Sequence, residues 1–274
     1  MVNSIKDKLE EADTVSEIRL LLGHSKDYVC VIVEGDYDQV IFKPLLSEHV
    51  HLLQSYASTT GVDKLIKEHF PHQKRVIGIK DKDYSKRSVS KRCFFCDYCN
   101  MEMMIIAIDS CNSRLFCNFY KGTTFDSNSL RMHCLEHLEF LSKLRMQNEL
   151  KSWRVRFCSV NVGRIYDENI SNMERNLITS LNNANPQNII DTKREALCRK
   201  IARCESLEDY LMITNGHDYV RIFFHICHAS NDTISLASVQ SALRASFGPS
   251  EFKETELYKV LHEYQSKHNL SIVC

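Results

Sequence analysis

Residues 28–38 read YVCVIVEGDYD and residues 75–83 read RVIGIKDKD. Each stretch contains a short apolar run and closes on acids. YVCVIV is too short for a buried helix and rich in β-branched residues, so it predicts a central strand covered on both faces. RVIGI repeats that signature. Between the two, a helix is expected from about Tyr37, with Pro44 kinking or ending it. HLLQSYAS at 51–58 is a second candidate strand, and GVDKLIKEHF at 61–70 reads as a helix with Val62, Leu65, Ile66 and Phe70 near one face. Strand, helix, strand, helix, strand predicts an α/β fold with a right-handed, mostly parallel sheet.

In open α/β sheets ligands sit at the carboxyl edge of the strands, where diverging loops leave a crevice. That places Glu34, after the first strand, beside Asp81, after the third. Residues two apart on an extended segment point to one side, so Asp81 and Asp83 are expected to converge with Glu34. Clustered carboxylates repel one another unless a cation lies between them, and Mg2+ or Mn2+ is the natural occupant. The same acids are also common as turn formers and helix caps, a role open to Asp36 and Asp38.

Outward from these motifs the chain is ordinary in composition. It has 274 residues, 43% hydrophobic and 26% charged, with Lys+Arg and Asp+Glu balanced at 35 each. Any charged groove must therefore come from local sorting of the two signs. With only 8 Gly and 4 Pro, helix should dominate. The periodicity from about Met101 is helical, and Leu130, Cys134, Leu138, Leu141 and Leu144 form a core stripe. WRVRFCSV at 153–160 alternates like a late strand, and further helices follow. The expected division is an α/β region over 1–125 and a mainly helical region over 126–274. No run of about 18 apolar residues occurs, so no membrane span is expected. The charged, amphipathic start lacks an apolar secretory core, and reduced thiols in a cytoplasm are the simplest expectation for the 12 Cys.

The motifs VIVEGDYD and IGIKDKDY resemble the Toprim domain of topoisomerases, DnaG-type primases and OLD-family nucleases. Glu34 matches that family's invariant glutamate, Gly35 the glycine after it, Asp38 the later acidic position, and Asp81 and Asp83 the paired aspartates. CDYCNMEMMI is similar to an Asp-x-x-x-x-Glu segment after the third strand, and NGHDYVRIF at 215–223 to a Gly-(Lys/His)-Asp helix start. The composite resembles the compact Toprim effector nucleases of PARIS anti-phage systems. The Toprim motifs cover about the first 110 residues.

This resemblance implies Mg2+- or Mn2+-dependent cleavage of phosphodiester bonds in RNA or DNA. Glu34, Asp81 and Asp83 would be catalytic, and Asp38 would join them around the metal. It further implies an ABC-type ATPase that holds the chain inactive, and self-association on release. Asp97 and Glu102 either supply a second metal site, as in OLD-type nucleases, or start the following helix. Five residues apart, about 1.4 helical turns, they share a helix face poorly, so as ligands they require Asp97 to precede the helix. A non-catalytic Toprim-like binding module is the alternative.

A phosphate backbone needs nearby positive charge. Residues 74–92 carry Lys74, Arg75, Lys80, Lys82, Lys86, Arg87, Lys91 and Arg92, and from Lys80 onward these are candidate nucleic-acid contacts. A solvated loop would have the same composition. Cys93, Cys96 and Cys99 make a C-x2-C-x2-C run, yet no second pair and no Cys-Pro complete a zinc or ferredoxin pattern, so core packing is expected. His133 and His137, four apart among leucines, are expected on a helix surface. The sequence has no G-x-S-x-G, no P-loop and no G-x-G-x-x-G, so acyl transfer, NTP hydrolysis and dinucleotide binding lack their signatures.

Overall fold

The computed structural model of the chain describes residues 4–84, 90–158 and 160–274, with side chains from residue 10 onward. It divides into two compact units, one made of the chain up to residue 101 together with residues 247–274, the other of residues 102–246. These bounds differ from the expected 1–125 and 126–274. The last 28 residues return to the first unit, a long-range pairing that local pattern does not encode.

The first unit is an α/β fold. Its helix α1 (Ser4–His24) is followed by β1 (Val29–Val33), α2 (Asp36–Phe42), β2 (Val50–Gln54), α3 (Ser58–Lys64), a π-helical turn (Leu65–His69), β3 (Val76–Lys80) and β4 (Cys93–Phe95). The sheet order is β2-β1-β3-β4 and every pairing is parallel. All five residues of β1 and all five of β3 are buried, the apolar ones as a covered central strand requires, with Lys80 at the end of β3 the charged exception.

Cys30 and Ile32 of β1 and Val76 of β3 share one core with Val15 and Ile18 of α1 and with Val62, Leu65 and Ile66. Gly78 permits that close approach, because a Cβ there would lie 2.6 Å from both Ile66 Cδ1 and Val62 Cγ1. Arg75 ties the end of α1 to the sheet by donating to the carbonyls of Leu22, Ser25 and Tyr28. The returning segment carries α13 (Pro249–Lys253) and α14 (Glu256–His268). Phe252 packs on Phe42 at 6.2 Å between ring centroids, Tyr264 packs on Phe94 at 5.4 Å, and Val273 forms an antiparallel bridge with Leu46.

The second unit is helical. It holds α4 (Met101–Ala107, from Glu102), α5 (Asp109–Phe119), α6 (Ser127–Lys151), α7 (Val162–Ile165), α8 (Ile170–Ala184), α9 (Thr192–Arg199), α10 (Leu207–Ile213), α11 (Gly216–Ser230) and α12 (Leu236–Ala245). The long α6 starts where Asp126 accepts the amides of Asn128 and Ser129, and its stripe from Leu130 to Leu144 is buried. Among the described residues, no helix is long and apolar enough to cross a membrane.

Two expectations are corrected here. WRVRFCSV is not a strand, although Trp153, Val155 and Phe157 are buried and Arg154 and Arg156 exposed; Ser159 lies outside the described residues. Side-chain amides stand in for a neighbouring strand. Asn148 pairs with the N–H and C=O of Val155, and Asn185 with the N–H and C=O of Arg156.

His133 and His137 are not on a helix surface either. His137 is buried, and the pair stacks at 4.1 Å within a cluster that includes Phe125 and Tyr166. Burial, reinforced by His137, pushes His133 down to about 4.

Candidate functional site

β1 and β3 are adjacent and parallel, pairing Cys30 with Val76 and Ile32 with Gly78. Continuing this register past the strand ends sets Glu34 level with Lys80 and next to Asp81. The Asp81 N–H donates to Glu34 Oε1 at 3.1 Å. The Thr59 hydroxyl donates to Glu34 Oε2 at 2.6 Å, and the Met101 N–H donates to Asp81 Oδ1 at 3.0 Å. The two acidic motifs thus adjoin at the carboxyl edge of the sheet, the Glu34 carboxylate held by the Asp81 backbone and by Thr59, the Asp81 carboxylate by the Met101 amide.

The remaining acids take different places. Asp38 Oδ2 accepts the Gly35 N–H at 2.9 Å and so helps start α2. The alternation invoked for Asp81 and Asp83 ends with β3 at Lys80. Asp83 is exposed in a left-handed conformation (φ 44°), its N–H donating to the Cys99 carbonyl at 2.6 Å. It therefore departs from the extended register with Asp81 that alternation assumes.

Asp97 holds a helix. Its Oδ2 accepts the Glu256 N–H at 2.8 Å and its Oδ1 the Leu257 N–H at 2.9 Å, while Thr255 accepts the Tyr258 N–H. The first turn of α14 is thereby satisfied from two segments. Burial raises the Asp97 carboxyl above its usual range, opposed by those two amides. Glu102 falls in the second unit, where its Oε1 lies 3.5 Å from His217 Nδ1. Asp97 and Glu102, open in sequence to a second metal site or a helix start, are engaged here by the first amides of α14 and by His217 respectively.

Cys96 reports how closely the acids gather. Its thiol is wholly enclosed and is pushed well above the ordinary thiol range, first by burial and then by the charges of Asp81, Asp38, Asp97 and Glu34. Cys93 and Cys99 are buried as well, and the Cys93 thiol, pushed up to about 12 by burial, faces Asp63 Oδ1 at 3.7 Å.

Among the described residues no group of three or more His, Cys, Asp or Glu side chains can hold a metal ion by itself. Mg2+ seldom needs such a cage, being bound through one or two carboxylates with waters and substrate phosphates completing its shell. Glu34 and Asp81 supply hard oxygen donors of that kind. A carboxylate oxygen has two lone-pair positions, so the hydrogen bonds to Glu34 leave room for a cation. The donor set fits a hard divalent ion held by this pair.

The expected basic rim is thinner than the sequence suggests. Lys80 is buried and donates to Asp63 Oδ1 at 2.7 Å, because alternation along β3 turns it toward α3. Arg92 spends its guanidinium on the carbonyls of Gln73, Val76, Ile66 and Pro71. Both are structural, which corrects their assignment to nucleic acid. Lys91 is exposed and Lys82 half-buried, whereas Lys86 and Arg87 lie outside the described residues.

Thr59 is the site residue that sequence reading missed. It sits in a Ser-Thr-Thr-Gly run with no spacing relation to Glu34, so only the fold brings the two together. Compared with protein families, curated proteins and solved structures, the chain matches none.

Proposed function

We propose that this chain is a Mg2+- or Mn2+-dependent endonuclease that hydrolyses phosphodiester bonds of RNA or DNA. The observation that carries this reading is the Asp81 N–H to Glu34 Oε1 hydrogen bond at 3.1 Å, which joins the two acidic motifs at the edge where α/β folds bind ligands. Glu34 and Asp81 hold the cation, and Asp83 and Asp38 add negative charge beside it. When bound, such an ion polarises the scissile phosphate and stabilises the attacking and leaving oxygens. Glu34, anchored through both oxygens, keeps one geometry while substrate enters. Lys82 and Lys91, with Lys86 and Arg87, meet the nucleic-acid backbone.

The biological setting rests on the resemblance to Toprim effector nucleases. It is that of a toxic cytoplasmic effector of anti-phage defence, held inactive by an ABC-type ATPase and self-associating on release. Incubating the purified chain with mixed RNA and DNA, in Mg2+ or in EDTA, tests the reaction. Cleavage in Mg2+ alone supports the reading, and intact nucleic acid in both overturns it. The internal pairing of Lys80 and Arg92 and the capping role of Asp97 favour one second reading, a Toprim-like module that binds nucleic acid or protein without turnover. Metal-independent binding without cleavage is its signature.

A further inference from the structure

The loop entering α3 is built to deliver one hydroxyl. Ser55, buried at the end of β2, donates from Oγ to the Ser58 carbonyl at 2.7 Å and accepts the Ala57 N–H at 3.3 Å. That closed turn holds Ser58 in the left-handed region (φ 48°), a conformation uncommon for a residue with a side chain. Gly61 makes the turn possible, since a Cβ there would collide with Ser55 Oγ and come within 3.3 Å of Ala57 Cβ. Thr59, the next residue after the left-handed Ser58, then donates to Glu34 Oε2 at 2.6 Å.

Glu34 Oε1 is fixed independently by the Asp81 amide. Without Thr59, one oxygen would remain tethered and the carboxylate plane could rotate about that tether. With Thr59, both oxygens are held from two elements, and the carboxylate cannot turn away from Asp81. Hydrogen-bonded partners of metal-binding carboxylates act in this way, and their removal costs metal affinity although they never touch the ion.

We infer that Thr59 is a positioning residue: its hydroxyl, presented by the Ser55–Gly61 turn, orients Glu34 for a hard divalent cation at the β1–β3 edge. This inference rests on the metal reading of the Glu34–Asp81 pair. It goes beyond that reading by making the first turn of α3 part of the site.

The test is Mn2+ binding by the full chain, followed by electron paramagnetic resonance, in wild type, Thr59→Val, Thr59→Ser and Glu34→Gln. Thr59→Val keeps the shape and removes the hydroxyl, and should weaken Mn2+ binding roughly 10- to 100-fold. Thr59→Ser restores the donor and should bind within about threefold of wild type, a rescue that a packing role alone would not give. With a labelled oligonucleotide, Thr59→Val should lower kcat and leave KM unchanged. Thr59→Ala serves the same comparison if the valine variant does not fold. Unaltered Mn2+ affinity in Thr59→Val, alongside lost binding in Glu34→Gln, overturns the positioning role alone. Wild-type affinity in Glu34→Gln overturns the metal reading on which it rests.

Discussion

Asp97 and Glu256 lie far apart in sequence, yet the Glu256 N–H donates to Asp97 Oδ2 at 2.8 Å and opens the last helix. This bond changes the meaning of an acid that the Asp-x-x-x-x-Glu pattern offers as a metal ligand. Its carboxylate serves two helix amides, those of Glu256 and Leu257.

Asp97→Ala should therefore act on stability. Loss of a capping carboxylate costs about 1 kcal/mol, up to about 2. Urea unfolding should show a lower midpoint, while Mn2+ affinity stays at the wild-type value. Lost metal binding with an unchanged midpoint would return Asp97 to the site.

Asn185→Ala tests the side-chain substitute for a strand. Asn185 is buried and hydrogen-bonds both the N–H and the C=O of Arg156, so truncation removes two side-chain to backbone hydrogen bonds, each worth about 1 kcal/mol. A drop in thermal midpoint is expected. A strand-forming account of 153–157 predicts little change.

Stability should also depend on pH through His133. Burial holds its folded value near 4, below the ordinary 6.5, so the unfolded chain takes up the proton first as the solution is acidified. The contribution is complete above about 6.5 and is lost progressively as pH falls toward about 4. The groups facing His133 are His137 on its own helix and Tyr166, whose hydroxyl lies 2.8 Å from His133 Nε2. His133→Gln should flatten this limb of the melting profile, and an unchanged limb would assign it to other groups.

Charge reversal separates the two kinds of basic residue. Lys91→Glu, at an exposed position, should weaken nucleic-acid binding and lower its salt dependence without changing the melting temperature. Arg92→Glu strands four carbonyls and should destabilise the fold instead. Equal effects of the two on binding, with equal stability, would contradict the division.

The parts of this structure legible in the sequence are those written in local apolar pattern. VCVIV and VIGIK read as buried strands, and α2 ends at Phe42, just before Pro44, where a kink or an end was expected. The pairing of Glu34 with Asp81 followed from placing those strands side by side. What stayed hidden depends on partners remote in sequence. Asp97 reads equally as a ligand or a helix start and nothing local points to α14, Lys80 reads as a surface cation until alternation turns it toward Asp63, and Thr59 has no marker at all. WRVRFCSV alternates correctly, but alternation records burial and not a neighbouring strand, a place that Asn148 and Asn185 fill.

The most direct measurement of the central claim is Mg2+-dependent cleavage of an end-labelled oligonucleotide by wild type, Glu34→Gln and Asp81→Asn, each checked for an unchanged circular dichroism spectrum. Removing a metal-binding carboxylate from a phosphodiester hydrolase should lower kcat by about 100-fold or more. The account predicts that loss in both variants and no cleavage by wild type in EDTA. Wild-type turnover in Glu34→Gln, or cleavage that persists in EDTA, would contradict it.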